Sequence, residues 1–324
     1  FDYIPRILIE RVASAIECTE EQLPVNYRPR DIQLGLCCLN TILRDQNIFC
    51  SRKAIIKTIE TKGHGELFRR CQENLMDLIR MINWNGQNGI RVFRISSELF
   101  PHYANPKVAR YSLDQFQPLL TEAGRHARKY GQRLTFHPGQ YNVVGTPDPV
   151  KFQNTAMELD YHAEVLDRLG CDNDSVMVVH GGGQYGNKTA SIARWIAQFR
   201  NLSPRVQRRL VLENCEKSFN IEDCLHISSH TGVPVVFDTH HYDCYRIIHP
   251  EVNLQPPDFY IPHILATWEH RKIKPKFHVS EQGPKQIGNH SDYIESIPNY
   301  LLNIPSKFGV KIDIMVEAKM KEQA

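Results

Sequence analysis

Histidines and carboxylates recur at the ends of short apolar runs from residue 137 onward. They are His137 in LTFHPGQY, His180 in MVVHGGGQYGNK, Glu213 in LVLENCE, Asp238 with His240 and His241 in VVFDTHH, Lys276 and His278 in KPKFHVSE, His290 in GNHSDY, and Glu317 in DIMVEAKMKE. Imidazole mixed with carboxylate, and no thiolate at these positions, suits Mn²⁺, Zn²⁺ or Fe²⁺ better than Ca²⁺ or Cu⁺. The set exceeds the need of a single ion, since a catalytic zinc takes about three protein ligands. The surplus points to two or three ions sharing a carboxylate, and Glu213 is the natural bridge because it lies mid-series. Clustered ions suit phosphodiester hydrolysis: one generates hydroxide near neutral pH while its neighbours hold the phosphate and the leaving oxygen.

Taken singly, each residue has a plainer reading. A histidine at a strand end is more often structural, and a lone acid after a strand is commonly solvated or a helix N-cap. The joint pattern differs, because charged groups facing a core are costly unless paired or metal-bound. Lys276 is the odd member. An ammonium beside divalent cations is repelled, so a lysine there should be neutral, displaced or chemically modified. The period of two in a regular strand puts it on the same side as His278.

The elements that must position these residues alternate. Apolar runs at 32–39, 92–96, 133–137, 176–180, 210–213, 234–238, 276–279 and 312–317 read as strands. Helical patterns lie between them at 67–81, 113–130, 152–169, 189–199, 221–229, 259–268 and 293–304. Strands rich in Val, Ile, Leu and Phe without polar alternation suit a parallel sheet buried on both faces. Repeated strand-then-helix order implies right-handed βαβ units. An open doubly wound sheet gives the same alternation, but the count of eight favours an α/β fold of the (β/α)8 TIM-barrel type. In such a barrel all the C-terminal strand ends meet on one face, which would carry the metal cluster. Residues 1–30 read as an N-terminal arm or cap, and 31–324 as a single barrel domain.

Composition bounds the reading without deciding it. The 324 residues are 41% hydrophobic and 23% charged, with a formal net charge of only +3. A basic field for nucleic acid would have to come from local clustering. The nine cysteines form no CxxC ladder, and the odd count favours a reducing interior compartment, nucleus or cytoplasm. No apolar run reaches the ~18–20 residues a membrane span needs.

Several of these segments are longer than a metal site requires. HPGQY at 137–141, HGGGQYGNK at 180–188, DTHH at 238–241, HSDY at 290–293 and MVEAKMKE at 315–322 resemble the UV-damage endonuclease family. LGLCCLNT at 34–41 and FRISSELFP at 93–101 fit the same family, so the resemblance runs over nearly the whole chain. It implies a barrel enzyme similar to endonuclease IV that nicks DNA 5′ of cyclobutane dimers, 6-4 photoproducts and often abasic sites. It also implies three divalent ions, manganese first and zinc as the alternative. His137, His180 and Glu213 would hold the first ion. Glu213, Asp238, His278 and Glu317 would hold the second, with His241 and His290 on the third. Lys276 matches a lysine carried in carboxylated form, which would turn the misplaced cation into an anionic ligand. Glu213, Lys276 and Glu317 are the expected catalytic groups.

Asn40, Gln140 and Tyr141 match positions that contact DNA. Tyrosine offers a stacking face and glutamine a hydrogen-bonding edge where a base has lost its partner. LENCE departs from the expected LENDD-like run while keeping the glutamate, and Leu36 stands where some bacterial members have tyrosine. Arg94, Lys188 and Arg246 are candidate phosphate contacts, although a solvated face is the commoner fate of such residues. The expected partner is damaged double-stranded DNA, bound by a monomer without a nucleotide cofactor or a membrane. The competing readings are an abasic-site endonuclease of the endonuclease IV type, a metal-dependent sugar isomerase or epimerase, and a lesion-binding protein without turnover.

Overall fold

A computed structural model describes residues 31–324; the expected N-terminal arm at 1–30 lies outside the described residues. Eight strands form: β1 (Ile32–Cys37), β2 (Val92–Arg94), β3 (Arg133–Thr135), β4 (Met177–His180), β5 (Leu210–Glu213), β6 (Val235–Val236), β7 (Lys276–Val279) and β8 (Ile312–Val316). All paired strands run parallel. β5 and β7 are buried at every residue; β5 carries no alternating polar face, whereas β7 alternates Lys276 and His278 with Phe277 and Val279.

The ladder is divided. β3-β2-β1-β8-β7 make one sheet and β4-β5-β6 another. Between them, single parallel bridges join Phe136 to Met177 and Asp238 to His278. The division follows from strand length, since β3 has three residues and β6 two. Several strands also stop short of their apolar runs. β1 ends at Cys37 because Cys38 turns to a φ of 60°, off the extended path. β6 ends before Asp238, whose side chain instead accepts from the His241 amide and starts the helix Thr239–Ile248.

Most helices sit where periodicity puts them, with the 67–81 pattern extending to His64–Gln87. The expected helix at 293–304 is instead two short ones, Asn299–Leu302 and Ile304–Phe308, each entered through a proline that cannot donate a backbone hydrogen bond. Thr41–Asp45, Ile56–Lys62, Pro204–Arg209 and Thr239–Ile248 are helices that the apolar pattern does not announce. Outside the strands, the helices pack on one continuous apolar core.

At the N-terminal ends of the strands, Asp313 of β8 is fully buried between two cations. Arg133 Nη1 lies 2.8 Å from its Oδ2 and Lys274 Nζ 2.6 Å from its Oδ1. No described helix is long and apolar enough to cross a membrane, and the cysteines of the described residues are free.

Candidate metal centre and nucleic-acid face

At the opposite ends of the strands, side chains converge on Glu213. His137 Nε2 and His180 Nε2 lie 2.9 and 3.1 Å from Glu213 Oε2. His278 Nδ1 and His241 Nδ1 lie 2.8 and 3.5 Å from Oε1. The four imidazoles come from the ends of β3, β4, β6 and β7, so one carboxylate from β5 gathers groups from both sheets. Glu317, just past β8, approaches His278 Nδ1 at 3.3 Å. Lys276 Nζ meets the far side of the same ring, 2.6 Å from Nε2. Period two along β7 does bring Lys276 and His278 to one face, and both are fully buried.

The electrostatics follow from this crowding. Burial alone would raise the Glu213 carboxyl, but His278, His180 and His137 outweigh it and hold the group well below the usual carboxylate range. Burial lowers His278 to about 4, so that ring is neutral and has a lone pair to give. Burial, reinforced by Arg94, lowers the Lys276 ammonium to about 8. A buried amine this acidic loses its proton within reach of neutral pH and becomes a nucleophile.

Asp238 combines the plain reading with the sharp one. Its Oδ1 caps the next helix by accepting from the His241 amide at 2.8 Å, while Oδ2 is buried with no hydrogen-bond partner. A buried carboxylate oxygen without a partner is costly, and a cation resolves that cost. Asn214, next to Glu213, clamps the residue in register: its Oδ1 accepts from the Asp238 amide and its Nδ2 donates to the Asp238 carbonyl, at 2.9 and 3.0 Å. The Asn214 carbonyl faces His241 Nδ1 at 3.0 Å. Asn214 was visible in the sequence only as the neighbour of a candidate ligand.

Donor atoms of His137, His180 and Glu213 all lie within 4.8 Å of one another, as do those of Glu213, Asp238 and His241. Two nitrogen-and-oxygen sets sharing one carboxylate fit divalent cations. The second grouping draws His241 toward Asp238 and Glu213, whereas the resemblance pairs it with His290. The His290 ring stands beside His240, centroids 5.7 Å apart. It is held there by a loop that doubles back at Gly283, where a Cβ would sit 2.4 Å from the His290 carbonyl oxygen.

With this geometry in view, comparison with known proteins is decisive. The profile of the UV-endonuclease UvdE family matches residues 32–324. A protein of Acanthamoeba polyphaga mimivirus is 38% identical over 298 residues, covering 90% of this chain and 89% of its own length. The chain belongs to the UV-endonuclease family. The UV-damage endonuclease of Schizosaccharomyces pombe is 34% identical across the whole of this chain, which spans 52% of that relative's length. The crystal structure of SacUVDE superposes with a TM-score of 0.77 at 29% identity, covering 90% of this chain and 94% of that one. Endonuclease IV from Thermus thermophilus shares the fold, with a TM-score of 0.50 at 14% identity.

The other candidates of this family member fall into two groups. Gln140 and Tyr141 lie on an exposed turn after β3, and Tyr141 is 72% exposed. Gly139 leaves room for that ring, since a Cβ there would meet Tyr141 Cε1 at 2.5 Å. Asn40 is different. It is buried, and its Oδ1 caps the helix Thr41–Asp45 by accepting from the Leu43 amide at 2.8 Å. Its Nδ2 is buried without a hydrogen-bond partner. Two of the candidate phosphate contacts are already engaged inside the protein. Arg94 Nη1 is 2.5 Å from Glu317 Oε1, and Lys188 Nζ is 2.5 Å from Asp223 Oδ2. Arg246 packs over the Tyr242 ring.

Beside Tyr141 opens a cleft of about 580 Å³, lined among others by Phe100, Tyr103, Tyr161, Asn154 and Glu158. Burial, helped by Glu98, pushes the Glu158 carboxyl up to about 7. A carboxyl raised in the folded state stabilises fully below its ordinary pKa and loses that contribution as pH climbs through the folded value. Glu158→Gln should therefore gain roughly 1–3 kcal/mol on the parent protein at pH 8 and little at pH 5. Thermal melts at the two pH values check this; equal shifts at both would refute it.

Proposed function

We propose that this chain hydrolyses the DNA backbone immediately 5′ of cyclobutane dimers and 6-4 photoproducts, and at abasic sites, with a cluster of three divalent ions that are manganese by preference. The class of enzyme, a metal-dependent DNA-repair endonuclease acting on UV-damaged DNA, follows from family membership and the buried ligand cluster. The observation that carries the finer reading is Glu213, one buried carboxylate within 3.5 Å of four imidazoles drawn from four other strand ends. Eight parallel strands in two sheets, bridged at Phe136 and at Asp238, support the (β/α)8 barrel as the frame.

His137, His180, Glu213, Asp238, His241, His278, His290, Glu317 and a carboxylated Lys276 would hold the ions. Bound there, the ions would supply a hydroxide near neutral pH and charge stabilisation of the leaving oxygen. The protein supplies the rest. Glu213 orients the rings from both sides, and Asn214 fixes the Asp238 backbone beside it. Tyr141 and Gln140 stand proud of the surface, where they can test whether a base pair holds its stack.

The deciding assay is cleavage of a 5′-labelled duplex with one cyclobutane dimer, with and without Mn²⁺, beside undamaged and abasic controls. A Mn²⁺-dependent cut just 5′ of the dimer is the expected result. Cutting confined to the abasic duplex would move the chain to an endonuclease IV-like specificity, and no cutting of either would overturn the nuclease reading. Tyr141→Ala should lower the preference for damaged over undamaged duplex by about 5–150-fold, the worth of one base–aromatic stack, while metal binding stays intact. An unchanged preference would remove Tyr141 from lesion probing.

A further inference from the structure

Lys188 ends the glycine-rich loop after β4, where a phosphate contact is the natural expectation. Its ammonium points instead into a junction of three segments. Nζ lies 2.5 Å from Asp223 Oδ2 and donates to the Tyr245 hydroxyl at 3.1 Å. The Lys188 side chain is 28% exposed and that of Asp223 15%.

Each partner belongs to a different strand-end loop of the metal centre. Lys188 opens the helix Lys188–Phe199, eight residues past His180. Asp223 lies in the first turn of Ile221–Thr231, the helix that follows Glu213. There it also accepts from the Asn220 amide at 2.8 Å, closing a reciprocal cap. Tyr245 lies on Thr239–Ile248, the helix that Asp238 caps and that carries His241. Further contacts run between the same segments. Gln184 of the glycine-rich loop donates to the Ser218 carbonyl at 3.2 Å, and His249 Nε2 meets the Lys217 carbonyl at 2.8 Å. The Tyr245 and His249 rings pack at 4.3 Å between centroids.

His180, Glu213, Asp238 and His241 are therefore the candidate ligands whose loops this one cation joins. We propose that Lys188 is a positioning residue for the metal centre: through Asp223 and Tyr245 it sets the spacing of the β4, β5 and β6 loops, and so controls metal affinity rather than DNA affinity. The inference rests on the metal-centre reading above. A charge-assisted contact that is mostly shielded from water holds geometry more firmly than a surface pair does. Groups that support a ligand in this way commonly change metal affinity by about 10–100-fold when removed.

The test uses Lys188→Met, Lys188→Arg, Asp223→Asn and the double variant Lys188→Met/Asp223→Asn. Mn²⁺ binding is measured by the loss of free-ion EPR signal, without turnover, and duplex affinity is measured across a salt series. Lys188→Met should weaken Mn²⁺ binding by about 10-fold or more and leave duplex affinity within about twofold, with Lys188→Arg recovering part of the loss. The double variant should be no worse than the worse single one, because both remove the same contact. A phosphate contact predicts the opposite: unchanged Mn²⁺ binding, weaker DNA binding and a salt slope reduced by about one. That result would overturn the proposal, as would a loss that Lys188→Arg does not relieve. Tyr245→Phe, which removes a single hydroxyl, should weaken Mn²⁺ binding in the same direction even if the methionine variant folds poorly, and its silence would also overturn the proposal. Because Mn²⁺ binding is read without DNA, failure of this inference is separable from failure of the nuclease reading, which the dimer-cleavage assay decides.

Discussion

Glu213→Gln should reduce nicking of dimer-containing DNA on the order of 10³-fold or more, equivalent to at least about 4 kcal/mol of transition-state stabilisation. The substitution keeps the shape and removes the charge that four imidazoles face. Glutamine presents one oxygen and one amide nitrogen, so it can serve the rings on only one side of the carboxylate. The protein should still fold, because the surrounding β5 packing is apolar and unchanged. Circular dichroism controls for the fold, and Mn²⁺ titration should show weakened or lost sites. Near-normal nicking would end the shared-carboxylate arrangement.

Lys276→Met should have the next largest effect, on the order of 10²-fold or more in nicking rate. A fully buried lysine amine whose pKa falls to about 8 offers a neutral nucleophile beside His278. Attack of that lone pair on the carbon of CO₂, with loss of one proton from nitrogen, gives a carbamate. Such a carbamate, its displaced proton released to solvent, would present anionic oxygens in place of the amine without any change of sequence. Enzyme equilibrated with ¹³C-bicarbonate should show a carbamate carbon resonance that Lys276→Met lacks. Full activity in the methionine variant, or no such resonance in the parent protein, would return Lys276 to a packing role.

Much of the centre was legible in the sequence because it rests on chemistry that spacing reveals. Glu213 and His180 stand at the ends of apolar runs, and β5 and β7 are the strands whose bounds match the segments read from the sequence. What stayed hidden depends on contacts between distant segments. Nothing near Arg94 in the chain points to Glu317, 223 residues away, and nothing near Lys188 points to Tyr245. Strand ends blurred for a local reason. VVFD reads as one run, yet the last residue serves the following helix, and that helix shows a polar sequence because its first turn carries His240 and His241. Asn40 matches a DNA-contacting position by motif while its side chain serves as a cap, a role that motif matching does not separate from recognition.

The seam between the two sheets has a mechanical meaning. Backbone pairing is thinnest at Phe136–Met177 and at Asp238–His278, one bridge in each place. Those are the places from which His137, Asp238 and His278 project, and Glu213 reaches across from one sheet to rings on the other. An ion bound by those groups would therefore also tie together two sheets whose amide ladders barely meet. The amides of Phe136 and His278, which bond across the seam to the Val176 and Phe237 carbonyls at 3.0 Å, are its natural reporters. Slow hydrogen exchange there would register a tightened cluster before any DNA is cut. Ion binding at the centre would then be read at these seam amides as well as at the ligands themselves.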